Sequence, residues 1–397
     1  MGLTRRTFVA GAGVSAAIAL PGAAQRTVDL ALPGGPGGRL LAPRFPQKGE
    51  MIVQRVRPPL LETPFEVFDG AVITPNDRFF VRWSGGDMPT SINAAAFRLA
   101  VRGAVKAPQS LSLAEVLRSG PHIEVTAINQ CAGNGRGFQQ PRVSGAQWAN
   151  GAMGNAVWRG VRLRDLLDRA GIGADVKAVR FTGLDKPLIE GSPQFIKSIP
   201  IEIARRDDTL VAFAMNGMAL PLLNGFPLRL VVPGWFATYW VKMLSDIEVL
   251  TGEDDSYFMT KTYRMPSVPV KPGDKDFPTV PITTMPPRSW ITSHANNAVV
   301  KRGERIDLRG LAMGGEVGVS KVELLVNNQA ALLPYVVPDD SRYGFRRWTI
   351  QLPPTDRDLS IAVRCTNVIG VTQPDEQAWN PSGYARNVVE RITLRVA

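Results

Sequence analysis

The sequence predicts an α+β protein, mixed and β-rich, that ends in a smaller β-sandwich. Three observations carry this. The chain has 397 residues, more than one hydrophobic core ordinarily serves. Its longer first part interleaves helix and strand signals, up to a proline-rich stretch, "MPSVPVKPGDKDFPTVPITTMPP", Met265 to Pro287. Beyond that stretch only short strand-like runs follow, separated by turns, as a sandwich requires.

Taken in order, residues 1–24 read as an export leader. "TRRTF", Thr4 to Phe8, carries the paired arginines of a twin-arginine signal. "VAGAGVSAAIAL", Val9 to Leu20, is its apolar core, and "GAA", Gly22 to Ala24, suits a signal peptidase. Twin-arginine export carries proteins already folded, often around a cofactor, so a periplasmic location is expected. Residues 25–65 are rich in proline and glycine and read as an extended arm. "SLAEVLRSG" predicts a helix opened by a Ser112–Glu115 capping box and stopped at Gly120. "HIEVTAIN", His122 to Asn129, alternates as a strand. "GVRLRDLLDRAGI", Gly160 to Ile172, predicts a helix closed by Gly171, and "PLRLVVPG", Pro227 to Gly234, an apolar strand. The proline-rich stretch reads as a linker. After it, "RIDLRGLAM", "KVELLVNN", "RRWTIQLP", "LSIAVRCTN" and "RITLRVA" are the sandwich strands.

Composition narrows the function. Hydrophobic content is 44%, charged content 20%, and the formal net charge is +11. No apolar run reaches the roughly 18–20 residues of a membrane span. A basic surface steers anionic substrates or an acidic partner, while no basic, aromatic-interleaved run points to nucleic acid. Histidine is confined to His122 and His294, which excludes a His-rich zinc or copper site. No C-x-x-C-H motif marks covalent haem, and no G-x-S-x-G elbow marks a serine hydrolase.

The cysteines are Cys131 and Cys365. Cys365 shares a strand face with Ile361 and Val363 and reads as a core residue, a poor partner for a disulfide to Cys131. Cys131 stands in "INQCAGNGRGF", directly after a predicted strand, with Arg136 in the same turn. A guanidinium nearby favours a thiolate, and successive Gly and Asn residues let backbone N–H groups face an anion. Three readings stay open on chemistry alone: packing, a nucleophile, or a soft metal ligand. Scarce histidine disfavours a Cys-His nucleophile; an organic metal cofactor suits a lone thiolate.

At this point several ordered stretches become recognisable. "NDRFFVRW", "NQCAGNGR", "GAQWANGAMGNAVWRGVRLRDLL", "FTGLD", "MNGMALPLLNGFPLRLVVPGW", "WVKML" and "QAWNPSGY" together resemble the sulfite oxidase family of molybdenum enzymes, especially its periplasmic bacterial sulfite dehydrogenases. The resemblance implies a molybdopterin-binding catalytic domain over 25–280 and an immunoglobulin-like domain, associated with dimers, over 281–397. It implies a molybdenum–molybdopterin cofactor with Cys131 as the metal's protein ligand, and no haem in this chain. Arg82, Arg136, Tyr263 and Trp148 match the family's substrate pocket, and Arg346, with Arg347 as its substitute, matches a further pocket arginine. Arginine suits an oxyanion because it stays charged and offers forked donors.

The resemblance assigns the pterin and its phosphate to Arg229, Lys242, Trp240 and Val241, to Phe80, Val81, Arg82, Trp83 and Ser84, and to Asp185 and Asn224. It departs from the family at Ser84, where a histidine is usual, and at Asn224, where vertebrate members carry a histidine. Loss of a titratable ring at Ser84 is expected to alter pH dependence, sulfite affinity or acceptor docking. The implied activity is oxidation of sulfite to sulfate, with electrons passing to a separate c-type cytochrome. The alternative substrate is an S- or N-oxide. A homodimer, or a heterodimer with a cytochrome subunit, is the implied assembly.

Overall fold

The computed structural model describes residues 26–84, 86–329, 332–338 and 341–397; the leader reading lies outside them. The segment expected to be an extended arm is instead part of a five-stranded antiparallel sheet. Arg26–Asp29, Gly38–Ala42, Met51–Arg55, Leu60–Glu62 and Val81–Arg82 pair in that order. Its prolines and glycines form the turns between strands too short to show alternation. Met51, Leu61 and Val81 pack with Trp83, Leu223 and Met243, and the last strand presents Arg82.

Two further five-stranded sheets build the main core. One runs Met218–Ala219, Leu210–Met215, Met153–Arg162, His122–Gln130, with Arg229–Val231 also on Leu210–Met215. The other runs Ile196–Pro200, Ala178–Gly183, Leu244–Leu250, Arg98–Gly103, Gln109–Ser112, its third and fourth strands parallel. The helices are short. Leu113–Leu117 has the reciprocal Ser112–Glu115 capping box. Leu163–Ala170 buries Leu163, Leu166, Leu167 and Ala170, about 1.5–3 kcal/mol for each large side chain. It starts later than its pattern suggests because Gly160–Arg162 complete the strand Met153–Arg162. Gly171 closes it at φ +70°, its N–H bonded to Leu167 and Asp168 carbonyls.

The proline-rich stretch is more than a linker: Arg264–Pro266 and Thr279–Pro281 pair across it, and Ile282 and Met285 are buried. Beyond it stand two four-stranded sheets. One is Arg288–Ile291, Ile306–Met313, Arg346–Leu352, Tyr335–Val336; the other is Ala298–Val300, Glu390–Val396, Leu359–Asn367, Val319–Val326. Leu324, Trp348, Ile361, Val363, Cys365 and Leu394 fill the space between them. Cys365 is fully buried, with its thiol pushed up to about 12 by burial. It and Cys131 are both free.

The two parts share a third apolar cluster. Phe68, Ile128, Ala132, Phe236 and Tyr263 from the first meet Trp290, Leu311, Met313 and Phe345 from the second. Polar clamps flank it. Arg309 pairs with Asp69 at 2.7 Å, Arg206 with Glu316 at 2.7 Å, and buried Arg288 with Asn150 at 2.6 Å and Glu390 at 2.8 Å. Among the described residues no helix is long and apolar enough to cross a membrane.

Candidate active site

Cys131 is the first residue after the strand His122–Gln130. Its N–H donates to the Ala152 carbonyl at 2.9 Å, and its own carbonyl accepts from Asn134 N–H at 2.9 Å. The Asn134 side chain accepts from Ala152 N–H at 3.0 Å, so the turn is fastened to the neighbouring strand from both ends. Gly135 takes φ +84°, a conformation suited to glycine. At Gly133 a Cβ would come within 2.7 Å of the Arg136 guanidinium. Gly135 is thus required by its backbone conformation, and Gly133 leaves room for the Arg136 guanidinium.

The Cys131 side chain lines a cavity of about 520 Å³ with Arg82, Asn129, Thr238, Tyr263 and the walls described below. Burial works against the Arg82 charge. Tyr263, Cys131 and Tyr384 around it, with a hydrogen bond to Cys131, nevertheless hold the guanidinium above its ordinary value. Arg82 lies 6.0 Å from the Tyr263 ring centroid. Tyr263 is buried and adopts φ +54°, a strained conformation for a residue with a bulky side chain. Its ring stacks on Tyr384 at 5.8 Å and 16°, and the buried Lys197 ammonium stands 5.4 Å from its centroid.

Two further cations line the same cavity. Arg229 donates to the Asn224 carbonyl at 2.9 Å and the Trp240 carbonyl at 3.3 Å, wedged by the rings of Trp158 and Trp240. Burial brings its pKa down to about 9. Lys242 donates to the Arg82 carbonyl at 2.9 Å and lies on the Trp83 ring. Burial, then Arg229, brings it down to about 7. Asn224 is held by Lys48 Nζ, 2.7 Å from its Oδ1, while its Nδ2 donates to the Phe80 carbonyl. Phe80, Val81, Ser84 and Trp240 complete this wall.

Ten of the residues expected from sequence therefore meet at one cavity: Phe80, Val81, Arg82, Ser84, Cys131, Asn224, Arg229, Trp240, Lys242 and Tyr263. The others stand differently. Trp83 backs Lys242 from behind the wall. The N–H groups of Trp240 and Val241 already donate to the Ala237 and Tyr239 carbonyls, so they are not free donors. Asp185 lines an adjoining cavity of about 610 Å³ that shares Ser84 and Phe195 with the first, and burial raises its pKa. Trp148 is fully buried and off the cavity wall. Arg136 donates from Nε to the Ser382 carbonyl at 2.8 Å and from Nη1 to the Ala146 carbonyl at 3.2 Å, its face on the Tyr384 ring.

Arg346 does not line the cavity. It opens the strand Arg346–Leu352, paired with Ala312, and the neighbouring Phe345 occupies the interface by packing on Phe68 and Trp290. Arg347 instead acts electrostatically on Asp69. The C-terminal part reaches the site through Tyr384. Sequence reasoning noted its motif without its role, and it passed over Lys48, Asn129, Lys197 and Thr238. A lone lysine inside the apolar run "FIKSI" was the available signal for Lys197.

The lining fits an anionic cofactor held through one thiolate. Arg82, Arg229 and Lys242 line the space with no carboxylate among them, and Asp185 lines the adjoining cavity. Buried donors on lining residues lack partners: Arg82 Nη1, Arg229 Nε, Asn129 Nδ2 and Thr238 Oγ1. Such groups are costly unless a ligand satisfies them. Among the described residues no three His, Cys, Asp or Glu side chains gather as a metal cluster, so a metal at Cys131 draws its other ligands from beyond the side chains.

Comparison with known proteins agrees. A family model described as the oxidoreductase molybdopterin binding domain matches residues 85–258. The mitochondrial sulfite oxidase of Mus musculus is 33% identical over 359 residues, covering 86% of this chain and 64% of that protein. The chain thus spans somewhat under two thirds of that relative's length. The sulfite oxidase of Gallus gallus is 32% identical over 356 residues, covering 85% of this chain and 76% of its own. The crystal structure of the sulfane dehydrogenase SoxCD from Paracoccus pantotrophus matches the fold with a TM-score of 0.73 at 24% identity, over 85% of this chain and 84% of that one. Fold and matched domain define a molybdopterin-binding oxidoreductase. The chain belongs to the sulfite oxidase family.

Proposed function

We propose that this chain is a periplasmic sulfite dehydrogenase that oxidises sulfite to sulfate and passes the electrons to a separate c-type cytochrome. The observation that carries the reading is Arg82 bonded to Cys131 and set against Tyr263 in a cavity that Arg229 and Lys242 also line. Cys131 would hold the molybdenum, and Arg229, Lys242 and Thr238 would take the phosphate end of the pterin. The bound cofactor supplies the oxygen-transfer and two-electron chemistry that side chains lack. Arg82 binds and orients an oxyanion through its unpartnered Nη1. Tyr263 sets a hydroxyl beside that anion, and the apolar walls of buried Phe80 and half-buried Phe195 thin out water around it.

Export rests on the twin-arginine leader, and the soluble acceptor on the absence of a haem-attachment motif in the sequence. The test is a molybdenum and pterin assay on purified protein combined with sulfite-dependent reduction of cytochrome c. Molybdenum-loaded protein that reduces no cytochrome with sulfite at any pH refutes the proposal.

A further inference from the structure

Tyr384 comes from the C-terminal part of the chain, yet it packs directly on a residue of the candidate site. Its ring lies nearly parallel to that of Tyr263, 5.8 Å away at 16°. The Arg136 guanidinium also lies over the Tyr384 ring, 5.1 Å from its centroid. The order through the site is therefore Arg82, Tyr263, Tyr384, Arg136. Cation–ring and ring–ring contacts each favour such a column by about 0.5–2 kcal/mol.

The backbone that carries Tyr384 is fixed with unusual redundancy. Its N–H donates to Asn380 Oδ1 and its carbonyl accepts from Asn380 Nδ2, both at 3.0 Å. The next residue, Ala385, donates to the Ala132 carbonyl at 2.8 Å, one residue from Cys131. Ala385 does this at φ +54°, a strained position for a residue with a Cβ. Two residues before Tyr384, the Ser382 carbonyl takes Arg136 Nε at 2.8 Å. At Gly383 a Cβ would meet Arg136 and Val143 side-chain carbons at 2.8 and 2.9 Å, so the segment is pressed against the arginine. The Ala385, Ser382 and Gly383 contacts all tie the segment to the Cys131 turn and its Arg136.

We propose that Tyr384 is a positioning residue of this site. It fixes the plane of the Tyr263 ring, and it keeps the Arg136 guanidinium bonded to the Ser382 and Ala146 carbonyls. The C-terminal part thereby completes the site with an aromatic ring rather than with an arginine. The proposal deepens the sulfite reading and rests on it only for the activity measurements below.

The experiment compares wild type, Tyr384→Leu and Tyr384→Phe as full-length, molybdenum-loaded protein. The chain has six tyrosines, few enough for fluorotyrosine labelling and 19F NMR, with Tyr263→Phe used for assignment. Tyr384→Leu is expected to move and broaden the Tyr263 resonance and to lower kcat/KM for sulfite per bound molybdenum on the order of tenfold or more. Tyr384→Phe, which keeps the ring, is expected to rescue both. A Tyr263 resonance and a kcat/KM per molybdenum unchanged in Tyr384→Leu overturn the proposal. So does a loss in Tyr384→Phe equal to that in Tyr384→Leu, because then the ring stack is not the operative feature. If wild type itself turns over no sulfite, the functional reading fails, and the NMR comparison still decides the role of Tyr384.

Discussion

Lys242→Met is expected to have opposite effects on the cofactor-free chain and on its hold on the cofactor. Without cofactor, the Lys242 amine lies 4.5 Å from the Trp83 ring centroid and donates only to the Arg82 carbonyl. Burial first, then Arg229, takes its pKa from 10.5 to about 7. A depression of that size corresponds to an upper bound on the order of 5 kcal/mol disfavouring the folded, cofactor-free chain. Between about 7 and 10.5 the unfolded chain holds this proton and the folded chain does not. Stability therefore rises with pH across that window and is lowest below it. Lys48 and Lys197, also brought to about 7 by burial, act with the same sign. Each contributes up to about 1.4 kcal/mol per pH unit. Lys242→Met removes one of these contributions, so cofactor-free protein should be as stable as wild type or more so near pH 7. Its pH slope should be shallower. A phosphate reverses the balance: at ~4 Å and an effective dielectric of ~20, each pair of unit charges attracts by about 4 kcal/mol, roughly a thousandfold in affinity. Urea unfolding of cofactor-free protein from pH 6 to 9, with molybdenum content after dialysis, measures both effects. A variant that loses several kcal/mol without cofactor, or keeps molybdenum as tightly as wild type, refutes this account of the cavity.

Cys131→Ser should abolish sulfite turnover and molybdenum retention while the cofactor-free protein still unfolds cooperatively; metal analysis alongside circular dichroism checks it. Tyr263→Phe should keep molybdenum and lower kcat by about 100-fold or more, the lower end for a positioned proton-handling group, as steady-state kinetics will show. Arg82→Gln should raise KM for sulfite by about two orders of magnitude, as loss of a charge-assisted bond demands, whereas Arg346→Gln should leave KM within about twofold; one kinetic series reads both.

What the sequence made legible was local. The Ser112–Glu115 box, the buried face of Ile361, Val363 and Cys365, and a cysteine at a strand end in a glycine turn all depend on neighbours within a few residues. The N-terminal sheet was not legible, because strands of three to five residues cannot display a period and their apolar faces are explained only by Leu223 and Met243 far along the chain. Arg136 shows the same limit at the site. Its place in the turn was readable, but the direction of its guanidinium is set by the carbonyl of Ser382, 246 residues away. Resemblance brought Arg346 toward the pocket for want of this information; the strand pairing of Arg346 with Ala312 keeps it out.

That difference in direction bears on how the pocket treats an anion. With Arg136 held by two carbonyls and covered by Tyr384, two guanidinium donors on the cavity wall lack partners, Arg82 Nη1 and Arg229 Nε, and of these Arg82 is the one bonded to Cys131. Turning Arg136 inward would sacrifice two charge-assisted hydrogen bonds, about 1.5–3 kcal/mol each, and the ring contact with them. A single small oxyanion does not recover that much beyond what Arg82 already supplies. Ser84, at the junction of the two cavities, adds a hydroxyl but no charge. On the proposed reading, anion affinity beside Cys131 thus depends on Arg82, with no histidine among the residues that line the cavity.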